Sequence, residues 1–309
     1  MTSDDATIGL TDLLTDLADA TKTELATMPE VKEADDVDVS TLPLVARRWI
    51  KLNDVVAVVA DLKNSTKLGT GKKAASTASI YQSATGGVVN IYDTFDADFI
   101  QIQGDGAFAL FWGDLRYERA ACAGITVKTF SLDLAAQIQK KWESTPETGF
   151  KVGVASSRIL VKRIGTPRNP AQQEPVWAGK AVNYAAKAAQ GADRHNMVIT
   201  GTVWDHFEKN DYLAFSCSCP PGPSLGIWEN TTIDRLPDDD PDAQGRVLVA
   251  GWCSVHGSDY CDAIMAGDKK RDDVDDLRSA LTRTQMGNAL RETARLNRIL
   301  REAHRAGIH

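Results

Sequence analysis

Two aspartates stand at positions where carboxylates can bind a cation. Asp61 directly follows the apolar run Asp54–Ala60, which is typical of a buried strand, and Asp105 stands between two glycines at the turn of an expected hairpin. Two carboxylates held close together repel each other unless a cation lies between them, and oxygen ligands favour Mg²⁺ or Mn²⁺. The pair therefore predicts a divalent-metal site if the fold brings it together. Otherwise Asp61 only caps a helix and Asp105 only makes a turn.

The residues after Asp61 add a second element of the same chemistry. The segment 62–66 (LKNST) leads into an expected helix, and the free backbone N–H groups at a helix N-terminus suit a phosphate chain. A divalent metal beside a phosphate-binding turn is the usual apparatus of phosphoryl transfer. The segment therefore indicates nucleotide chemistry.

The order of the expected elements places the two aspartates at one edge of a sheet. Strand, helix, strand, strand, helix and strand are expected at 54–60, 67–93, 99–103, 107–111, 115–142 and 151–156. We expect the first helix to be interrupted at Gly86-Gly87. This βαββαβ order is that of a ferredoxin-like α/β (α+β) sheet with its helices on one face. Its first two strands run parallel with the third between them, so the end of the first strand and the hairpin share an edge.

Further elements are expected on both sides of this core. They are an amphipathic helix at 8–26, an acidic linker at 28–44, a helix at 179–190, a strand at 197–200, a helix at 201–208, a separate strand-rich appendage at 217–262 and one or two charged helices at 272–306. The predicted domain limits are an N-terminal helix and linker at 1–46, the sheet domain at 47–210, and the Cys- and His-containing appendage with its C-terminal helix at 211–309.

Most of the five cysteines cluster near the C-terminus. Cys217, Cys219, Cys253 and either His256 or Cys261 have the composition of a structural Zn²⁺ site, with ligands in two groups from distant segments. Their spacing is not that of a standard zinc finger. The alternative is that they are small apolar residues of a core, since free cysteine is commonly buried.

Composition excludes several classes of protein. The 309 residues are 43% hydrophobic and 25% charged, which is ordinary for a globular chain, and the net charge of −7 does not suit binding to nucleic acid or to an anionic membrane. No apolar run approaches the roughly 18 residues of a membrane span, and the N-terminus lacks the basic region of a signal peptide. We therefore expect a cytoplasmic protein with no membrane or nucleic-acid partner.

Three parts of the chain resemble, in order and spacing, the class III nucleotidyl cyclase catalytic domain. They are VVAVVADLKNST at 55–66, FIQIQGDGAFALF at 99–111, and FKVGVASSRIL at 150–160 followed by GKAVNYAAKAAQ at 179–190. The resemblance covers roughly residues 50–208. It implies a head-to-tail homodimer with its active sites at the interface. It also implies two divalent ions, Mn²⁺ or Mg²⁺, and attack of a ribose 3′-hydroxyl on the α-phosphorus with loss of pyrophosphate.

The resemblance also implies a role for individual residues. The implied set is metal ligation by Asp61, Asp105 and the Leu62 carbonyl, triphosphate binding by Lys63, Asn64, Ser65 and Thr66, catalysis by Asn183 and Lys187, and base binding by Gln101 and Val176. Lys187 stands where the family has its transition-state Arg, so it keeps the charge but not the planar fork that grips a phosphate. Arg158, Arg163 and Arg168 are alternatives for that role.

The base-reading positions and the tail point to a pyrimidine substrate. Gln101 replaces the Lys of adenylate and the Glu of guanylate cyclases, and Val176 stands where they have Asp or Cys. SCSCP at 216–220 and GWCSVHGSDYC at 251–261 resemble the tail of bacterial Pycsar cyclases, which make cyclic pyrimidine mononucleotides against phage. This resemblance implies conversion of UTP to 3′,5′-cyclic UMP, read by a downstream effector. A cytidylate cyclase, an adenylate cyclase and a silent nucleotide-binding module remain alternatives.

Overall fold

A computed structural model describes residues 9–42, 44, 47–166 and 168–283. The strands are β1 Glu30–Glu33, β2 Arg48–Lys63, β3 Phe99–Gln103, β4 Gly106–Phe111, β5 Gly149–Gly165, β6 Gln173–Gly179, β7 Met197–Ile199, β8 Trp228–Thr232 and β9 Gln244–Leu248. The α-helices are α1 Leu10–Ala26, α2 Ser65–Leu68, α3 Ala74–Thr94, α4 Arg116–Lys141, α5 Lys180–Gly191, α6 Gly201–Phe207, α7 Asp211–Ala214 and α8 Gly257–Met265. Single 3₁₀ turns occur at Val39–Thr41, Pro170–Gln172, Pro241–Ala243 and Asp272–Val274.

The helix expected over 272–306 is described only in part. Residues 275–283 are helical, and the rest of that prediction, from 284 onward, lies outside the described residues. No helix in the described part of the chain is both long enough and apolar enough to span a membrane.

The chain divides into two compact units. Among the described residues, the first comprises those up to Asn53 and those of Leu160–Ala178, and the second comprises those of Asp54–Ile159 and those from Gly179 onward. Strands β2 and β5 each contribute residues to both units. The limits predicted from the sequence, at residues 46 and 210, stay a prediction about separate domains.

The first unit contains more strand than the sequence indicated. β1 forms within the expected linker and pairs in parallel with the start of β2, from Glu30 opposite Arg48 to Glu33 opposite Lys51. β6 pairs with β5, in a region where the sequence analysis predicts no strand. Burial alternates along β6, which is the pattern of a strand with one covered face. α1 is a helix, as expected, but none of its residues is buried.

The second unit contains the predicted sheet core. Its strands follow the order β3-β4-β2-β5-β7-β9-β8. β4 is antiparallel to both β2 and β3, so β2 and β3 run parallel with β4 between them. This confirms the ferredoxin-like arrangement and brings the end of β2 and the β3–β4 hairpin to one edge of the sheet.

The helices cover both faces of this sheet. A Cβ on Gly124 of α4 would lie 3.7 Å from Val154 Cγ2, whereas a Cβ on Gly153 would lie 1.9 Å from the Ala185 carbonyl of α5. Because neighbouring strand residues point to opposite faces, α4 and α5 lie on opposite faces of β5. α3 packs on α4. The expectation of one covered face was made for the two helices of the βαββαβ core and agrees with α3 and α4, whereas α5, a further element, covers the opposite face.

Gly86 and Gly87 do not interrupt α3, contrary to the sequence interpretation. The break falls earlier, between α2 and α3. A Cβ on Gly87 would lie 2.5 Å from Phe130 Cζ of α4, so any larger residue here would force the Phe130 ring to move. The mistake arose because a glycine that makes room for a neighbour looks, in sequence, like a helix breaker.

The strands after residue 217 extend the main sheet. β9 pairs antiparallel with β7, with Met197 opposite Leu248, and β8 pairs with β9. Trp228 of β8 is buried in the same core as α6. The strand-rich part of the expected appendage is therefore continuous with the sheet, because it covers an edge of β7 that would otherwise stay unpaired.

Candidate functional site

Strand pairing sets the positions of Asp61 and Asp105. The β2–β4 register runs from Val56 opposite Phe111 to Ala60 opposite Ala107, and one further step places Asp61 opposite Gly106. A Cβ on Gly106 would lie 2.3 Å from the Ala60 carbonyl and 3.5 Å from Asp61 Cα, so only glycine fits there. The hairpin tip that carries Asp105 therefore meets the end of β2. We call these two half-buried aspartates the carboxylate edge.

Lys151 forms an ion pair at this edge that the sequence analysis does not predict. Its Nζ lies 2.8 Å from Asp61 Oδ2, and its side chain is only 15% exposed. Lys151 lies near the start of β5, which neighbours β2 in the sheet. The available signal was a single charged residue inside the apolar run FKVGVA at 150–155. A cation already sits against the carboxylate edge, which fits a cation-binding role for Asp61.

The turn after β2 is tied to the segment that precedes β5. Asn64 has a left-handed backbone, with φ of 62°, and its Nδ2 donates to the Glu147 carbonyl at 2.8 Å. The Thr148 hydroxyl donates to the Lys63 carbonyl at 2.8 Å. The Leu62 side chain is buried.

The predicted phosphate-binding residues therefore lie on a fixed turn beside the carboxylate edge. Ser65 and Thr66 begin α2, a helix of a single turn. Lys63 and Ser65 are half-buried, and Thr66 is exposed.

Asn183 and Lys187 lie on α5. Asn183 is exposed, and its Nδ2 donates to the Gly179 carbonyl at 3.3 Å. Lys187 is half-buried, with its Nζ 5.6 Å from the centre of the Tyr184 ring. No hydrogen bond or ion pair among the described residues joins either side chain to the carboxylate edge. The structure thus places this pair in the same unit as Asp61 without a direct contact.

Asp240 holds α5 from the C-terminal part of the chain. Its Oδ2 accepts hydrogen bonds from Lys180 Nζ and from the Tyr184 hydroxyl, both at 2.7 Å, and its side chain is 9% exposed. The bond from Lys180, followed by that from Tyr184, lowers the pKa of Asp240 to about 2. Nothing in the spacing of the sequence links residues 180 and 240, so sequence reasoning missed this contact.

The two predicted base readers belong to different units. Gln101 lies on β3, opposite Phe108 of β4, and is half-buried. Val176 lies on β6 in the first unit and is 40% exposed. Their joint role stays a prediction.

The three arginines that are alternatives to Lys187 for the transition-state role differ in their surroundings. Arg163 donates to the Val39 carbonyl at 2.9 Å, which engages its guanidinium. Arg158 and Arg168 are exposed.

A second constellation lies outside the carboxylate edge. The ligand atoms of Cys217, Cys219, Cys253 and His256 all lie within 4.8 Å of one another. Cys261 is not part of this group. It lies beside the buried Cys122, whose thiol lowers the pKa of Cys261. Of the two sequence alternatives for the fourth ligand, the structure therefore selects His256.

Similarity to known proteins agrees with this architecture. No family model matches the chain. The structure resembles that of the adenylyl cyclase CyaB from P. aeruginosa, with a TM-score of 0.52 and 12% identity over 66% of this chain and 96% of that chain. The fold is that of the class III nucleotidyl cyclases.

Curated relatives narrow the assignment. A uridylate cyclase from Micromonospora echinofusca is 55% identical over 98% of this chain and 99% of its own length. A uridylate cyclase from Propioniciclava tarda is 48% identical, again over 98% of this chain and 99% of its own. The chain belongs to the uridylate cyclase family.

Proposed function

We propose that this protein converts UTP to 3′,5′-cyclic UMP and pyrophosphate. The observation that carries the proposal is the match to uridylate cyclases along nearly the whole chain, at up to 55% identity. The carboxylate edge supports it, because it combines paired carboxylates with a turn suited to a triphosphate. In the reaction, the ribose 3′-oxygen forms a bond to the α-phosphorus, the bond from the α-phosphorus to the bridging oxygen breaks, and the hydroxyl proton is released to water.

The residues present fit divalent cations. Asp61, Asp105 and the Leu62 carbonyl supply oxygen donors of the kind that Mg²⁺ and Mn²⁺ prefer. The ammonium of Lys151 beside Asp61 shows that the edge accommodates positive charge. When bound, two such ions lower the pKa of the ribose 3′-hydroxyl and offset the charge of the triphosphate.

Basic and polar side chains next to the edge fit the triphosphate. Lys151, whose Nζ lies 2.8 Å from Asp61 Oδ2, would supply a positive charge to phosphate oxygens beside the edge. Lys63, Asn64, Ser65 and Thr66 form the turn beside it, and the hydrogen bonds of Asn64 and Lys63 to residues 147 and 148 hold the turn in place. This turn would hold the triphosphate at the end of β2.

Helix α5 supplies the remaining catalytic groups. Asn183 is exposed and able to orient the ribose, and Lys187 provides a positive charge for the transition state. Tyr184 lies between Lys187 and Lys180, so its ring limits where both ammonium groups can go. In the homodimer that we propose, active sites form at the interface and these groups act across it.

Base selection rests on Gln101 and Val176. An apolar Val176 cannot complete a pair of polar contacts to a purine edge, and each unpaired polar group costs roughly 1–3 kcal/mol. Gln101 can both donate and accept, so it suits uracil and cytosine alike. The preference for UTP therefore rests on the relatives, and we further propose that cyclic UMP is an antiphage signal read by a separate effector.

A product assay tests the function directly. The full-length protein is incubated with each of the four nucleoside triphosphates and Mn²⁺, and the products are separated by chromatography and identified by mass spectrometry. We expect cyclic UMP as the main product, and none from an Asp105→Asn variant purified in parallel. Cyclic AMP or cyclic GMP as the main product would overturn the pyrimidine assignment, and cyclic CMP would overturn the assignment of UTP as the substrate. Absence of product from all four nucleotides would overturn the proposed cyclase activity.

A further inference from the structure

Four side chains of types that bind metals lie close together in space, in a part of the sequence far from the carboxylate edge. Cys217 and Cys219 follow α7, and Cys253 and His256 lie in the loop between β9 and α8. Their ligand atoms all lie within 4.8 Å of one another. Two segments more than thirty residues apart thus each contribute two donors to a single point.

The three distances among Cys219, Cys253 and His256 match those of a tetrahedral metal site. Cys219 Sγ lies 3.7 Å from Cys253 Sγ and 3.4 Å from His256 Nδ1, and Cys253 Sγ lies 3.9 Å from the same nitrogen. Zinc bonds of about 2.3 Å to sulfur and about 2.0–2.1 Å to nitrogen give tetrahedral edges of about 3.8 Å between sulfurs and about 3.6 Å from sulfur to nitrogen. The observed separations fall close to both values.

A metal site explains the cluster better than a disulfide or an apolar core does. A disulfide needs its sulfurs about 2.05 Å apart, so Cys219 and Cys253 are not bonded. A core role requires burial, as at Cys122, which is fully buried, whereas the three clustered cysteines are only half-buried.

The surroundings suit a negatively charged metal–thiolate group. The backbone N–H of Val255 donates to Cys253 Sγ at 3.4 Å, as expected for a sulfur that carries negative charge. Arg271, which is buried, donates to the Ser216 carbonyl at 3.0 Å, next to the first cysteine. Its guanidinium is paired with Asp273 at 2.7 Å, and its bond to Ser216 fixes the backbone directly before Cys217.

We propose that Cys217, Cys219, Cys253 and His256 bind one structural Zn²⁺ ion. Thiolate and imidazole donors favour zinc over the Mg²⁺ or Mn²⁺ of the carboxylate edge. Four protein ligands leave no open position for a substrate, so the ion is structural. It joins the segment after α7 to the loop that starts α8, and it is independent of the proposed cyclase chemistry.

Metal content of the purified full-length protein tests the site. We expect about one zinc per chain by elemental analysis. Cys217→Ser, Cys253→Ser and His256→Gln lose it, whereas His256→Cys, which restores a fourth ligand, retains it. Cys261→Ser and Cys122→Ser are matched controls outside the cluster and keep full zinc. Zinc-free wild-type protein, or equal loss from Cys261→Ser and Cys253→Ser, would overturn the proposal.

A second measurement covers the case in which ligand variants fail to fold. Wild-type protein stripped of metal and loaded with Co²⁺ should show the thiolate charge-transfer and tetrahedral d–d absorption bands, altered in His256→Cys. A zinc chelator should lower the melting temperature by about 10 °C, and added zinc should restore it. Absence of the cobalt bands together with an unchanged melting temperature would refute the site, even if cyclase activity persists.

Discussion

The carboxylate edge and helix α5 carry groups of the same proposed site, but different kinds of contact hold them. At the edge, backbone pairing between β2 and β4 sets the position of Asp105, and Gly106 allows the close approach. On α5, the close approach of Ala185 to Gly153 sets how closely the helix packs on β5. The side-chain bonds of Asp240 to Lys180 and Tyr184 then fix its exposed face.

This difference indicates how each region responds to substitution. Backbone pairing does not depend on which side chain Asp61 or Asp105 carries, so changes there should alter chemistry and leave the fold intact. The exposed face of α5 depends on one buried carboxylate, so changes at Asp240 should alter stability first and activity second. Three sets of variants separate these expectations.

The largest effect is expected at the carboxylate edge. Asp61→Asn and Asp105→Asn keep the shape of the side chain and remove a metal-binding charge, so cyclic UMP formation should fall by about 10³-fold or more. A contribution of several kcal/mol to the transition state corresponds to that factor. Turnover is measured at saturating Mn²⁺, with Asp93→Asn on the exposed side of α3 as the control. Activity above a tenth of wild type in either variant contradicts the two-carboxylate assignment.

The same two variants should differ in stability. Asp105→Asn relieves repulsion between carboxylates, so without metal its free energy of unfolding should hold or rise. Asp61→Asn also removes the partner of the largely buried Lys151 ammonium, so it should lose up to about 1 kcal/mol. Urea unfolding in the absence of metal measures both, and equal stability of the two variants would show that the Lys151 pair contributes nothing.

A smaller effect is expected at Lys151, which lies beside the edge. Lys151→Met removes a charge from the proposed triphosphate site, and loss of a charge-assisted hydrogen bond of about 1.5–3 kcal/mol predicts a fall in kcat/KM of about 10- to 100-fold. Lys151→Arg should retain most activity, since it keeps the charge. Lys140→Met, on an exposed part of α4, is the matched control. Full activity of Lys151→Met would remove this residue from the site.

The carboxylate edge could be predicted from the sequence because strand order and a glycine-flanked turn determine it. The βαββαβ order implied that the end of β2 and the hairpin share an edge, and the β2–β4 register confirms it. The roles of Asp61 and Asp105 remain predictions. Lys151 was missed because which residue of β5 faces Asp61 depends on register between strands that are far apart in sequence.

The rest of the molecule shows where local patterns fail. Gly87 resembled a helix break because its neighbour Phe130 is distant in sequence. β9 is too short and polar to be assigned without its partner β7. Residue types were enough to indicate a Cys and His cluster, but only the fold distinguishes His256 from Cys261, because Cys261 contacts Cys122 instead. In each case a tertiary contact, absent from the local pattern, decides the structure.

The smallest effect is expected at Asp240. Asp240→Asn removes the partner of Lys180 and should cost about 1 kcal/mol of unfolding free energy, a modest value because Lys180 is 58% exposed. If the loss of these bonds also shifts α5, activity should drop by about fivefold, which is well below the effect at the carboxylate edge. Asp239→Asn, an exposed neighbour, serves as the control. Loss of activity as severe as in Asp105→Asn would erase the distinction between the two regions.

The pH dependence identifies the cause of that stability loss. Folding lowers the pKa of Asp240 from 3.8 to about 2, mainly through the bond from Lys180. The carboxylate therefore binds fewer protons in the folded than in the unfolded state, so its stabilisation is complete above about pH 4 and is lost as the pH falls through about 2. Urea unfolding at pH 6 and pH 3 should show the deficit of Asp240→Asn shrinking at the lower pH, whereas Asp239→Asn should match wild type at both. A deficit that is the same at both values would mean that Asp240 acts through its shape and not through its charge.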